Sequence, residues 1–181
     1  NGSENQTGFE GPGRYMGFEM FEIIDPEYYA KEASRMAITM LNADLCPAGR
    51  MPVVIDNGFG GVIFHEACGH ALEATSVAKG HSVFTGKIGE KIASDKVTAI
   101  DDGTIPNAWG SINIDDEGIP SQKKTLIENG ILKGYMVDKL NGRRMGMEPN
   151  GSSRRQSYKY APTSRMTNTY IAAGNDENKD I

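Results

Sequence analysis

"TLIENGILKGYMVD", residues 125–138, carries alternating apolar and polar side chains on both sides of Asn129-Gly130. Asn-Gly supplies two residues that tolerate positive φ, as a two-residue type I′ turn requires, so the stretch reads as a hairpin. The same rhythm runs upstream. "KVTAIDDG", "GSINIDDEG" and "KKTLIENG" are short alternating runs that close on Asp-Asp-Gly, Asp-Glu-Gly or Asn-Gly. Residues 96–138 are therefore expected to be antiparallel sheet. The 22 glycines fit a chain of many turns better than a helical bundle.

Before the sheet region lies "GGVIFHEACGHALEA", residues 60–74, on a helix expected over 61–78. His65 and His70 are five apart, and Glu66 follows the first. Metal-binding helices more often place two histidines four apart. In a regular helix each residue turns by about 100°, so side chains five apart diverge by about 140°. One inserted residue, a π-bulge, returns i and i+5 to one face, and Gly69 relieves crowding beside His70. With that geometry two neutral imidazoles can hold Zn²⁺ or another divalent ion, with a third protein ligand and an open position for water. Glu66 is then placed to take the water's proton. The plainer readings stay open: His-Glu pairs occur on solvated helix faces, and buried histidines serve in core hydrogen bonding. Cys68, Glu73 and His81 are the nearby candidates for a third ligand. Cys68 reads better as a buried bystander, Glu73 as a partner of His70 rather than of the ion, and His81 lies eleven residues beyond His70.

Further upstream, "FEMFEII" (18–24) alternates like a strand, and Asp25-Pro26-Glu27 is a helix start with Asp25 as N-cap. The helix should run through "EYYAKEASRMAITMLNA", with Tyr29, Ala33, Met36, Ala37 and Met40 on one face. "CPAGRMP" (46–52) breaks it, "MPVVID" (51–56) reads as a short buried strand, and "NGFGG" as a turn. Downstream, residues 139–165 hold seven basic side chains and one acid. Such a run is either a solvated loop or an electropositive rim for a peptide's carboxylates. In the second case Arg154 and Arg155 are the candidates, through bidentate guanidinium pairing. Asp101-Asp102 and Asp115-Asp116-Glu117 precede glycines and read as turn chemistry.

The net charge of −5 argues against general nucleic-acid binding, and no apolar run reaches membrane-spanning length. Cys46 and Cys68 make no disulfide framework and suit a reducing compartment.

Three stretches together resemble the TldD/PmbA family of metallopeptidases, on the TldD-like branch with the His-Glu-x-x-x-His signature. They are "GFGGVIFHEACGHALEA", "IDDGTIPNAWGSINIDDEGIPSQKKTLIENGILKGYMVDKLNGRRMG" and "GSSRRQSYKYAPTSRMTNTY". The resemblance implies an α+β chain: an antiparallel β-rich domain packed around the metal-motif helix, preceded by a helix from an upstream region. Residues 1–50 would end a central region, and 51–181 would be the first part of the C-terminal metallopeptidase domain. By resemblance His65 and His70 are metal ligands and Glu66 is the catalytic acid/base. The family's third ligand, a cysteine in a Gly-x-Cys-Gly segment, matches neither Cys46 nor Cys68 and is expected outside this chain, which by itself would then be inactive. The implied activity is cleavage of extended or unfolded peptides and maturation of modified ones in the cytoplasm, by a homodimer or a heterodimer with a sister subunit lacking the metal motif. The rival expectation is a noncatalytic β-rich peptide-binding or assembly subunit whose histidines are structural.

Overall fold

A computed structural model describes residues 2–176. The chain forms two compact units, Asn1–Val53 and Val54–Ile181.

In the first unit, helix α1 spans Pro26–Leu41. Asp25 caps it, its Oδ1 accepting from the Glu27 amide at 3.0 Å, and Pro26 occupies a first-turn position where its missing N–H costs nothing. Tyr29, Ala33, Met36 and Ala37 are half-buried, while Met40 is exposed. Gly8 lies on this face so closely that a Cβ there would strike the Ala33 carbonyl. The expected strand at 18–24 is instead a 3₁₀ turn, Phe18–Glu22. In a 3₁₀ turn i and i+3 eclipse, and the Phe18 and Phe21 rings meet there at 4.9 Å between centroids. No strand lies beside this segment among the described residues, so alternation had nothing to pair with.

The second unit is α+β. Strands β1 (Ala99–Asp102), β2 (Lys123–Glu128), β3 (Ile131–Leu132) and β6 (Thr169–Ile171) form one antiparallel sheet in the order β3-β2-β1-β6. At the β2–β3 turn Asn129 and Gly130 have φ of 48° and 80°, both positive as a type I′ turn needs. The register pairs Glu128 with Ile131 and Ile127 with Leu132. A second ribbon pairs β4 (Ser153–Arg154) with β5 (Thr163–Ser164). Helix α4 (Lys139–Met145) is capped by Asp138 and ends on Gly146 at φ 66°.

The expected helix over 61–78 is broken into pieces. A 3₁₀ turn Gly58–Gly61 leads into α2 (Val62–Phe64), a π-helical turn His65–Gly69, a 3₁₀ turn His70–Leu72, and then α3 (Ala74–Val77). The break is at Glu73, whose backbone is extended at ψ 130°. Met136 donates to Leu72 O at 3.0 Å and accepts from the Ala74 amide at 2.8 Å, so a strand-like bridge replaces the helical bonds at this point. Leu72, Leu126, Leu132, Met136 and Val137 are fully buried between the motif segment and the sheet.

Two further expectations are corrected. "MPVVID" is an exposed, unpaired run, with Val53 and Val54 70% and 76% exposed. "GSINIDDEG" is a looped segment closed by a single bridge between Ile114 and Pro120, and strand β3 stops at Leu132. Asp115 explains the former: it accepts from the Glu117, Ile119 and Ser153 amides, which wraps the chain around its carboxylate. Asp102 makes the expected turn with Thr104. Asp101 does not. It is wholly buried, pairs with Lys124 at 2.9 Å, and accepts from Thr167 and Thr169, tying β1 to β2 and β6.

Candidate metal centre

The π turn decides where the histidines point. The His70 amide donates to the His65 carbonyl, an i→i+5 bond that puts both side chains on one face. Their rings stand edge to face, 4.8 Å between centroids and 90° between planes. One ligand atom each from His65, Glu66 and His70 fall within 4.8 Å of one another. Gly69 makes the turn possible in this packing: a Cβ there would collide with Met166 Sδ, and Met166 is buried under it. The turn also rests on β6.

Glu66 is exposed, with Oε2 at 3.8 Å from His70 Nε2. Glu73 is buried and reaches the other nitrogen, Oε1 to His70 Nδ1 at 3.1 Å. Its second oxygen lies 3.7 Å from Arg165 Nη1. Burial holds the His65 imidazole below its ordinary pKa, and the neighbouring His70 and Arg154 act the same way against Glu66 and Asp101. Burial raises the Glu73 carboxyl, opposed by His70, Arg165 and Arg154.

This donor set fits a divalent cation. Two imidazoles converge, one of them biased to the neutral form that can ligate, and a carboxylate stands at the open side. Among the described residues Cys68 and His81 do not join the cluster. Cys68 packs against the hydrophobic core with its thiol pKa raised by burial, and His81 is exposed.

Of the two arginines, Arg154 lies on β4 close enough to influence His65 and Glu73, and its Nη1 donates to Met166 O at 3.3 Å. Arg155 turns to Asp116: its amide donates to Oδ2 at 2.7 Å and its Nη2 to the Asp116 carbonyl at 3.2 Å. The residue missed from the sequence is Arg165. It sits in the basic run, but only the β4–β5 ribbon carries it to Glu73, and no local spacing signals that. A cavity of about 420 Å³ adjoins the site, between Gly58, Gly60, Ile63 and Phe64 on one side and Tyr170 and Ile171 of β6 on the other.

Comparison with known proteins gives concordant results. Residues 48–181 match the PmbA/TldA metallopeptidase C-terminal domain. A metalloprotease TldD homolog of Haemophilus influenzae is 48% identical over 98% of this chain and 38% of its own length. A zinc metalloprotease TldD homolog of Saccharolobus solfataricus is 32% identical over 88% of this chain and 35% of its own. Among solved structures, a proposed modulator of a DNA gyrase from Thermotoga maritima superposes with a TM-score of 0.71 at 29% identity, covering 84% of this chain and 34% of that one. TldE from Thermococcus kodakarensis gives 0.66 at 26% identity, covering 84% and 35%. The chain thus spans less than two fifths of the length of these relatives.

Proposed function

The chain belongs to the PmbA/TldA metallopeptidase family, and from that premise we propose that it carries the metal-binding and proton-transfer side of a site that hydrolyses extended or unfolded peptides. The observation that carries this reading is the π turn, which converges His65 and His70 with Glu66 beside them. His65 and His70 would hold the ion, zinc or another divalent metal, with the third protein ligand outside these residues. When bound, the ion would polarise the scissile carbonyl and acidify a water.

Glu66 then acts as general base and acid. Its exposed carboxylate takes the proton of the attacking water and returns it to the leaving amine, so the step consumes no protein group. A peptide would lie along the outer edge of β6, which pairs with no other strand among the described residues, and fill the adjoining cavity. Main-chain hydrogen bonds to such an edge accept many sequences, which suits unfolded substrates. Arg154 would hold a substrate carboxylate, with Arg155 in a lesser role because Asp116 already occupies it. We place the protein in the cytoplasm as a homodimer, or paired with a TldE-like subunit, with residues 1–50 closing a central region and 51–181 opening the catalytic domain.

The test is Glu66→Gln in the full-length protein. Loss of general acid–base catalysis should lower kcat by about 10²–10⁴-fold while metal stays bound. Equal cleavage by both forms would refute the role given to Glu66, and no cleavage by either would mean the histidines serve a noncatalytic binding module.

A further inference from the structure

Glu73 has no part in the chemistry above, yet it is one of the best-buried carboxylates in the chain, at 5% exposure. A buried carboxylate needs partners. Glu73 has two, His70 Nδ1 at 3.1 Å and Arg165 Nη1 at 3.7 Å. Its backbone is pinned as well, since the peptide groups on both sides of it bond to Met136. The bridge fixes the Glu73 backbone beside the His70 turn, and the His70 and Arg165 contacts hold its carboxylate.

We propose that Glu73, braced by Arg165, is a positioning residue that fixes the His70 tautomer and ring so that Nε2 is presented to the ion. An ionised carboxylate only accepts hydrogen bonds, so the ring proton must sit on Nδ1. The lone pair is then left on Nε2, the nitrogen nearest Glu66. Glu73 is not a ligand: it engages the opposite nitrogen and lies outside the cluster of His65, Glu66 and His70. Carboxylate partners of this kind raise the basicity of a ligating imidazole and fix its orientation, and losing one typically weakens metal binding by about 10–100-fold. Arg165 supplies the counter-charge that lets the carboxylate stay buried, reaching it from the position just after β5 across a long sequence separation. This inference rests on the proposed metal site.

The experiment uses full-length protein and zinc in competition with a chromogenic chelator, alongside ¹⁵N spectra of histidine-labelled metal-free protein. Glu73→Ala should weaken zinc binding by about 10–100-fold and shift the His70 ring signals away from the Nδ1–H pattern. Glu73→Gln keeps an acceptor oxygen, so it should retain that pattern and recover part of the affinity. Arg165→Ala should fall between wild type and Glu73→Ala. Wild-type affinity and an unchanged His70 tautomer in folded Glu73→Ala would overturn the inference and leave the metal site standing. Zinc binding that survives His65→Ala and His70→Ala unchanged would overturn both.

Discussion

Gly69→Ala tests the packing on which the π turn depends. Gly69 has φ −56° and ψ −53°, ordinary helical values, so alanine meets no backbone strain there. In a helix interior alanine is favoured over glycine by about 1 kcal/mol. Against this, the new methyl would enter the space of Met166 Sδ, with Cε 3.2 Å away. Met166 is flexible at its end but only 3% exposed, so it must move inside a packed core. Overpacking of that kind costs about 1–3 kcal/mol. The net expectation is a loss of about 0–2 kcal/mol, which alone decides little. The double variant decides more. Met166→Ala by itself should cost about 2–5 kcal/mol by leaving a cavity. With Gly69→Ala added, the methyl enters vacated space, so the pair should cost less than the sum by about 1 kcal/mol or more. The assay is urea unfolding of the four proteins, with zinc titration to report on the turn itself. Additivity to within about 0.5 kcal/mol would show that the two side chains do not contest one volume, and the account of Gly69 would fail.

Asp101→Ala should destabilise by about 3–5 kcal/mol, because it leaves the Lys124 ammonium buried without its partner and frees Thr167 and Thr169, the latter on β6, from β1; urea unfolding measures it. Gly130→Ala should cost about 1–3 kcal/mol, since φ is 80° there and a Cβ would stand 2.5 Å from the Ala93 carbonyl oxygen, whereas Asn129→Gly should be close to neutral in the same assay. Burial holds the Tyr135 phenol above its ordinary pKa, and its hydroxyl donates to Phe84 O at 2.5 Å. The folded protein keeps this proton at pH values where the unfolded chain loses it, so stability should fall as pH rises above about 10. Tyr135→Phe should flatten that slope and cost about 1 kcal/mol at neutral pH. The 181 residues expressed alone should bind zinc far more weakly than the full-length protein in a chelator competition, because two imidazoles fall short of the usual three protein ligands.

What could be read from the sequence was what local chemistry dictates. Asn129-Gly130 announced its turn because only residues tolerant of positive φ close a two-residue hairpin, and Asp25-Pro26 announced α1 because capping and a fixed φ act within one turn. The π turn was legible through a conflict: histidines five apart make a shared site only if the helix carries an extra residue. Long-range partners were not legible. The helix breaks at Glu73 because Met136, far along the chain, competes for its flanking amide and carbonyl. Arg165 meets Glu73 only through the β4–β5 ribbon, and Asp101 looks like a turn residue until Lys124, Thr167 and Thr169 surround it. "FEMFEII" and "MPVVID" have strand-like composition, but a strand exists only beside another, and among the described residues neither has one.

Anomalous diffraction at the zinc edge, from crystals of the full-length protein loaded with zinc, would locate the ion against the two rings. One peak is expected about 2.0–2.1 Å from a ring nitrogen of both His65 and His70, with the π turn intact. A peak that touches only one of these rings, or neither, would contradict the shared site.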